Sequence, residues 1–207
     1  MKKIGSVLSM TLPLLLGACV ATGPLNQQQL QKVRPMAITP PDKAPEGSLY
    51  RDTTSAALYA TGAQTGIVGA LIFGGMAAAN ESSGVKKFKP ATSGVGALVL
   101  STLLSTTREE LVSRGYVNKQ PGGALGTLKC VNVNYGVAHA GEQRFKATVS
   151  IMATIEAPGS RMIWRNAVEE ASSTTFTKEE ANSNPKLYRD AVQEAARKAG
   201  HAIASKI

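Results

Sequence analysis

The sequence predicts an α+β fold: a two-layer domain in which a three-stranded antiparallel meander (about 127–173) is covered by helices (about 95–114 and 185–205). Three observations predict it. Between Val131 and Val168, apolar residues alternate with polar ones in three consecutive runs, the period of a strand with one buried face. Val95 to Leu111 carries leucines at helical spacing. After Asn184-Pro185 a stripe of alanines recurs with the same helical period. A sheet with one face covered by helices is a standard two-layer solution.

The N-terminus is organised differently from the domain. Lys2 and Lys3 precede an apolar run from Ile4 to Leu16, too short to span a bilayer and built like a cleaved export signal. It ends in Leu16-Gly17-Ala18-Cys19. This stretch resembles the lipobox of bacterial lipoproteins. The resemblance implies that Leu16, Gly17 and Ala18 are the signal-peptidase recognition residues. It also implies that residues 1–18 are removed and that Cys19 is the lipid-attachment site, carrying a diacylglycerol and an amide-linked acyl chain such as palmitate. Each buried methylene contributes about 0.8 kcal/mol, so several chains would anchor the protein durably. Val20 stands where an Asp favours inner-membrane retention in enterobacterial lipoproteins, so the resemblance points to the outer membrane, with the domain in the periplasm.

Composition narrows the partners. The 207-residue chain carries 23 basic and 14 acidic residues, a formal charge of +9; loss of Lys2 and Lys3 leaves 21 against 14, or +7. A basic chain suits an anionic envelope polymer or lipid head groups. Export argues against nucleic acid, and Lys86, Lys87 and Lys89 form the only tight basic cluster, which reads as a solvated loop. With Cys19 lipidated, Cys130 has no intramolecular disulfide partner and reads as a small buried hydrophobe.

Residues 19–46 read as a lipidated tether. Pro24, Pro35, Pro40, Pro41 and Pro45 favour extended chain, with room for a short helix around Leu25 to Val33. An early strand fits Ser48 to Arg51. Residues 47–93 are Gly/Ala-rich, and no charge falls between Asp52 and Glu81. In a helix, Gly62, Gly66, Gly69 and Gly74 are candidate packing or oligomer contacts, because small residues let two helices approach closely. This stretch resembles the glycine-zipper segments of certain outer-membrane lipoproteins. The stretch from Ala91 to Thr107 departs from that pattern, keeping only Gly94 and Gly96 before turning leucine-rich. A membrane or self-association segment and a loop or buried helix both fit.

The domain spans 94–207. Thr107 and Glu110 have capping-box spacing, but the period of Leu100, Leu103, Leu104 and Leu111 favours one helix from Val95, ended by Gly115. In the meander, Val131, Val133, Tyr135 and Val137 share a face with Phe145, Ala147, Val149, Ile151, Ala153 and Ile155, and with Met162, Trp164 and Val168. Turn residues suggest Val137 opposite Phe145 and Val133 opposite Val149. They also suggest Ile155 opposite Met162, Ala153 opposite Trp164, and a Glu156–Arg161 pair on the other face. Asn184 and Pro185 start the last helix, and Gly200 weakens its final turns.

Catalytic signals are sparse. His139 and His201 are the only histidines, no zinc spacing or nucleophile elbow occurs, and the Glu109-Glu110, Glu169-Glu170 and Glu179-Glu180 pairs read as solvated. Gly122, Gly123 and Gly126 lack the Lys of a phosphate loop. Trp164 reads as core. No metal, no cofactor and no catalytic residue is expected. The sequence therefore predicts a non-enzymatic envelope accessory, bound to the membrane by lipid and to other envelope proteins, with self-association an option. The alternative is a lipid or small-ligand carrier, which requires an apolar pocket between sheet and helices.

Overall fold

A computed structural model describes residues 25–51, 93–120 and 122–207. Their elements run α1 (Gln27–Val33), β1 (Met36–Thr39), β2 (Glu46–Arg51), α2 (Val95–Ser113), β3 (Gly126–His139), β4 (Phe145–Ala157), β5 (Arg161–Phe176), α3 (Lys178–Ser183) and α4 (Pro185–Ser205). The fold is α+β, with helices packed on one face of a sheet. Cys19 and its preceding residues, the glycines at 62, 66, 69 and 74, and the lysines at 86, 87 and 89 lie outside the described residues.

The sheet corrects the three-stranded meander. It has five strands and is mixed: β3, β4 and β5 are consecutive and antiparallel, while β1 and β2 both pair parallel with β3. β2 spans the early strand expected at 48–51. β1 lies within the stretch expected to be a tether, as does α1. Proline on either side of Met36–Thr39 suggests extended linker in sequence. Yet the four residues between are enough to pair, and Met36 is buried along with Leu30 and Val33 of α1. Asn26 and Gln29 close α1 with reciprocal bonds, the Asn26 side chain accepting from Gln29 N at 2.8 Å.

Within the antiparallel strands the buried face is as expected except at Val131 and Met162, and the pairing differs by two residues. Val137 faces Ala147, Val133 faces Ile151, and His139 faces Phe145. Ile155 faces Trp164, Ile151 faces Val168, and Ala153 faces Asn166. Arg161 stands opposite Ala157 and Glu156 opposite Met162, so the expected Glu156–Arg161 pair does not form. The turns explain the difference. The second connection uses three residues, with Gly159 and Ser160 at positive φ, and a bulge beside Ile155 adds one more step. The two-residue shift keeps Trp164 and Val168 on the expected face, whereas the bulge turns Met162, expected in the core, to the other face, opposite Glu156 and 36% exposed.

A second bulge changes one face assignment. β3 slips between Cys130 and Asn132, leaving Val131 without a partner and 42% exposed, while Cys130 takes the buried place. Val131 therefore does not join the core face as expected.

The helices close over that face. α2 runs from Val95 as one helix; Thr106 and Thr107 are buried within it and do not cap a separate one. Gly115, at φ +69, ends it, with Tyr116 N donating to Leu111 O at 2.8 Å. Asn184 caps α4 through its side chain, which accepts from Leu187 N, and Pro185 occupies the first turn. The alanines at 191, 195, 196 and 199 are buried, so α4 lies close on β4 and β5. Trp164, Ile151, Ile155, Leu103 and Ile203 fill the space between the layers.

Candidate functional site

The helices occupy one face of the sheet; among the described residues, no helix covers the other. Its surface is set by the strand registers. Across β3, β4 and β5 run the rows Lys129–Thr154–Arg165, Asn132–Met152–Ala167, Asn134–Ser150–Glu169, Gly136–Thr148–Ala171 and Ala138–Lys146–Thr175. The centre is low, built from small side chains, and charged residues stand around it. Asn132, Arg165, Ala167 and Glu169 are exposed. Thr148 and Thr154, which also lie in this face, are buried.

Two cations stand at one end of the face. Lys129 Nζ lies 3.4 Å from Asp42, a carboxylate mostly in solvent, so this pair contributes little stability. Arg165 places its guanidinium over Met152, donating from Nε and Nη2 to Sδ at 3.1 and 2.8 Å. A thioether is a weak acceptor, so this arrangement leaves much of the guanidinium's bonding capacity for another group.

The outer edge of β5 is treated in two ways. Near its end, α4 covers it. Glu194 accepts from Ser173 N at 2.8 Å, and Lys198 donates to Ala171 O at 3.3 Å and to Ser173 Oγ at 2.8 Å. Glu194 and Lys198 are themselves paired at 2.9 Å. Burial works to raise the Glu194 carboxyl, but the bonds from Lys198 and Ser173 outweigh it and hold the group at about 2. Side chains that occupy edge backbone groups block pairing there. The sequence alone does not single out this clamp; its one local signal is the Glu194–Lys198 spacing of four on a helix. Earlier along β5, the edge is covered locally: Ala167 N donates to the Asn166 side chain at 2.9 Å.

The remaining sequence candidates are dispersed. His139 sits at the first hairpin, its Nδ1 accepting from Gly141 N, with its ring edge-on to Phe145. His201 lies on α4, 3.4 Å from Glu110 of α2. They belong to separate elements and are engaged with different partners. Cys130 is buried, and burial pushes its thiol up to about 11, which makes it a poor nucleophile. Trp164 is fully buried. Among the described residues no group of His, Cys, Asp and Glu could hold a metal ion, and no helix is long and apolar enough to cross a membrane. A depression of about 370 Å³ lies on the outer side of α2 and α4, lined by Leu98, Pro185, Lys186, Arg189, Asp190 and Gln193. It is not the apolar pocket between sheet and helices that a carrier requires.

Comparison with known proteins is sparse. No protein-family model matches the sequence. No curated protein matches it either. Among solved structures, the chain is similar over 56% of its length to a minor lipoprotein from Acinetobacter baumannii, with 13% identity, 86% of that chain covered and a TM-score of 0.36. A lipoprotein from Caulobacter crescentus CB15 shows 16% identity over 56% of this chain and 85% of its own, with a TM-score of 0.31. Superpositions this loose establish neither a shared fold nor a shared function.

Proposed function

We propose that this chain is a lipid-anchored, non-enzymatic accessory protein of the bacterial outer membrane, facing the periplasm, whose domain binds another envelope protein through the open face of its sheet. The observation that carries this reading is Leu16-Gly17-Ala18-Cys19 at the end of a short charged-then-apolar segment. The anchor supplies location. A two-layer domain with one sheet face that no described helix covers supplies a rigid binding surface with polar groups at fixed spacing. Gly62, Gly66, Gly69 and Gly74 supply a second contact, to lipid or to another copy.

The carrier reading is weaker because the interior between the layers is filled by Trp164, Ile151, Ile155 and Leu103. A histidine hydrolase is weaker still, since His139 and His201 lie on different elements with separate partners.

Metabolic labelling with palmitate and membrane fractionation test the anchor. Wild-type chain should incorporate label and sediment with outer membrane, while Cys19→Ala should stay unlabelled and keep its signal segment. Normal processing of Cys19→Ala, with no label in the wild type, would reduce the N-terminus to an ordinary secretory signal. Cross-linking in the envelope then tests the glycine segment: Gly66→Leu with Gly69→Leu should lower recovery of partner proteins.

A further inference from the structure

We infer that one end of the open sheet face docks on the membrane that holds the anchor, taking an anionic phospholipid surface as its ligand; the inference rests on lipidation at Cys19. Among the described residues the exposed large apolar side chains are Leu125, Val131 and Met162, at 52%, 42% and 36%. The strand registers bring all three to the same end of that face. Thr127, Glu156 and Met162 form one row across β3, β4 and β5, and Lys129, Thr154 and Arg165 form the next. Leu125 precedes this part of β3 and shares the alternation of Thr127 and Lys129, while Gly126 and Leu128 turn to the helices. Val131 and Asn132 stand together between the buried Cys130 and Val133, so the bulge puts Val131 on the open side, next to Lys129.

Charge and chain length name the occupant. Arg165 and Arg161 are exposed on β5 at this end, and Lys129 stands across from them on β3. Glu156 lies in the row of Met162, and Asp42, followed by the exposed Lys43, pairs with Lys129, so cations exceed carboxylates here. Apolar side chains set among cations suit an anionic bilayer surface: the apolar groups enter the acyl boundary while the basic ones meet phosphates. The anchor sets which part of the domain lies nearest the bilayer. Because α1 and β1 belong to the domain, six Cα steps separate Cys19 from Leu25, a reach of at most about 20 Å. α1 adds about 10 Å and ends at this end of the sheet. There Val33 packs so closely on Gly126 that a β-carbon at position 126 would lie 2.6 Å from the Val33 Cβ. The domain is thus held to the membrane beside Leu125, and the centre of the face, around Ser150, is left for the protein contact.

The test uses the full chain, purified from membranes and reconstituted in vesicles of phosphatidylglycerol and phosphatidylethanolamine. Met162→Cys carries a polarity-sensitive fluorophore in the patch, and Ala140→Cys carries it at the far hairpin. The label at 162 should brighten and be quenched by nitroxide lipids, while the label at 140 should do neither. Lys129→Glu with Arg165→Glu should lower the docked-to-undocked ratio at 162 about 25-fold, since each basic residue at an anionic surface is worth about fivefold. Flotation with the vesicles should persist, because the acyl chains remain. Unchanged Trp164 fluorescence in the unlabelled variants separates a lost contact from a lost fold. Equal quenching at 162 and 140, or quenching at 162 that survives the charge reversals, would overturn the inference. Brightening at 162 without lipid quenching would assign the patch to a second copy, and brightening only on addition of envelope extract would assign it to a protein; either overturns it. Failure of the wild-type chain to float would remove the anchor reading and the inference together, whereas flotation without docking removes the inference alone.

Discussion

Gly200 of α4 lies so close to Thr106 of α2 that a β-carbon at position 200 would stand 2.9 Å from the Thr106 Cβ and 3.1 Å from the Leu103 carbonyl. Beside them, Thr107 Oγ1 donates to the Gly200 carbonyl at 3.4 Å in a buried setting. Two helices meet here at backbone distance, and that contact holds the covering layer together above the sheet.

Gly200→Ala sets two effects against each other. Alanine improves helix propensity by about 1 kcal/mol. Overpacking against a β-carbon and a backbone oxygen, neither of which can swing aside, costs about 1–3 kcal/mol. The substitution should therefore lower stability, read as a lower urea midpoint with unchanged slope. A raised midpoint would mean that the helices separate easily.

Glu194 should make stability depend on acid. Its carboxyl sits at about 2 in the folded chain, below the ordinary value of 4.5. A carboxyl depressed by folding adds stability that is complete above its unfolded value and lost as pH falls towards the folded one. Wild-type stability should thus decline between about pH 5 and pH 2 more steeply than that of Glu194→Gln. Parallel pH profiles would show that the clamp on β5 carries no such linkage.

Cys130 should be silent to thiol reagents. Buried, with its thiol raised to about 11, it should remain unlabelled by maleimide at pH 8 in the folded chain and react fully in guanidinium. Rapid native labelling would contradict its placement on the core face of β3.

Much of the domain is legible in the sequence because its signals are local. Asn184, Pro185 and the alanine period define α4, and the alternation through Ile151, Ala153 and Ile155 defines the buried face of β4. Pairing is less legible. It depends on turn conformation at Gly159 and Ser160 and on the bulge at Val131, neither of which alters hydrophobic period enough to announce itself. β1 is hidden for another reason: Pro35 and Pro40 dominate the local pattern, and its pairing partner at Gly126 lies about ninety residues away. At the candidate site, the alternation implied a solvent face, but its rows and the thioether contact of Arg165 follow only from the observed register. The lipid-attachment residue has a linear motif and needs no fold to be read.

The central claim is that an anchored domain presents its open sheet face to an envelope protein. A photo-cross-linking residue at Ser150, in the middle of that face, tests it most directly when compared with one at Gln193 on the outer side of α4. In intact cells the account predicts one recurrent protein adduct from position 150, absent from position 193 and lost in Cys19→Ala. Adducts from position 193 alone, or none from position 150 while the chain remains anchored, would contradict it.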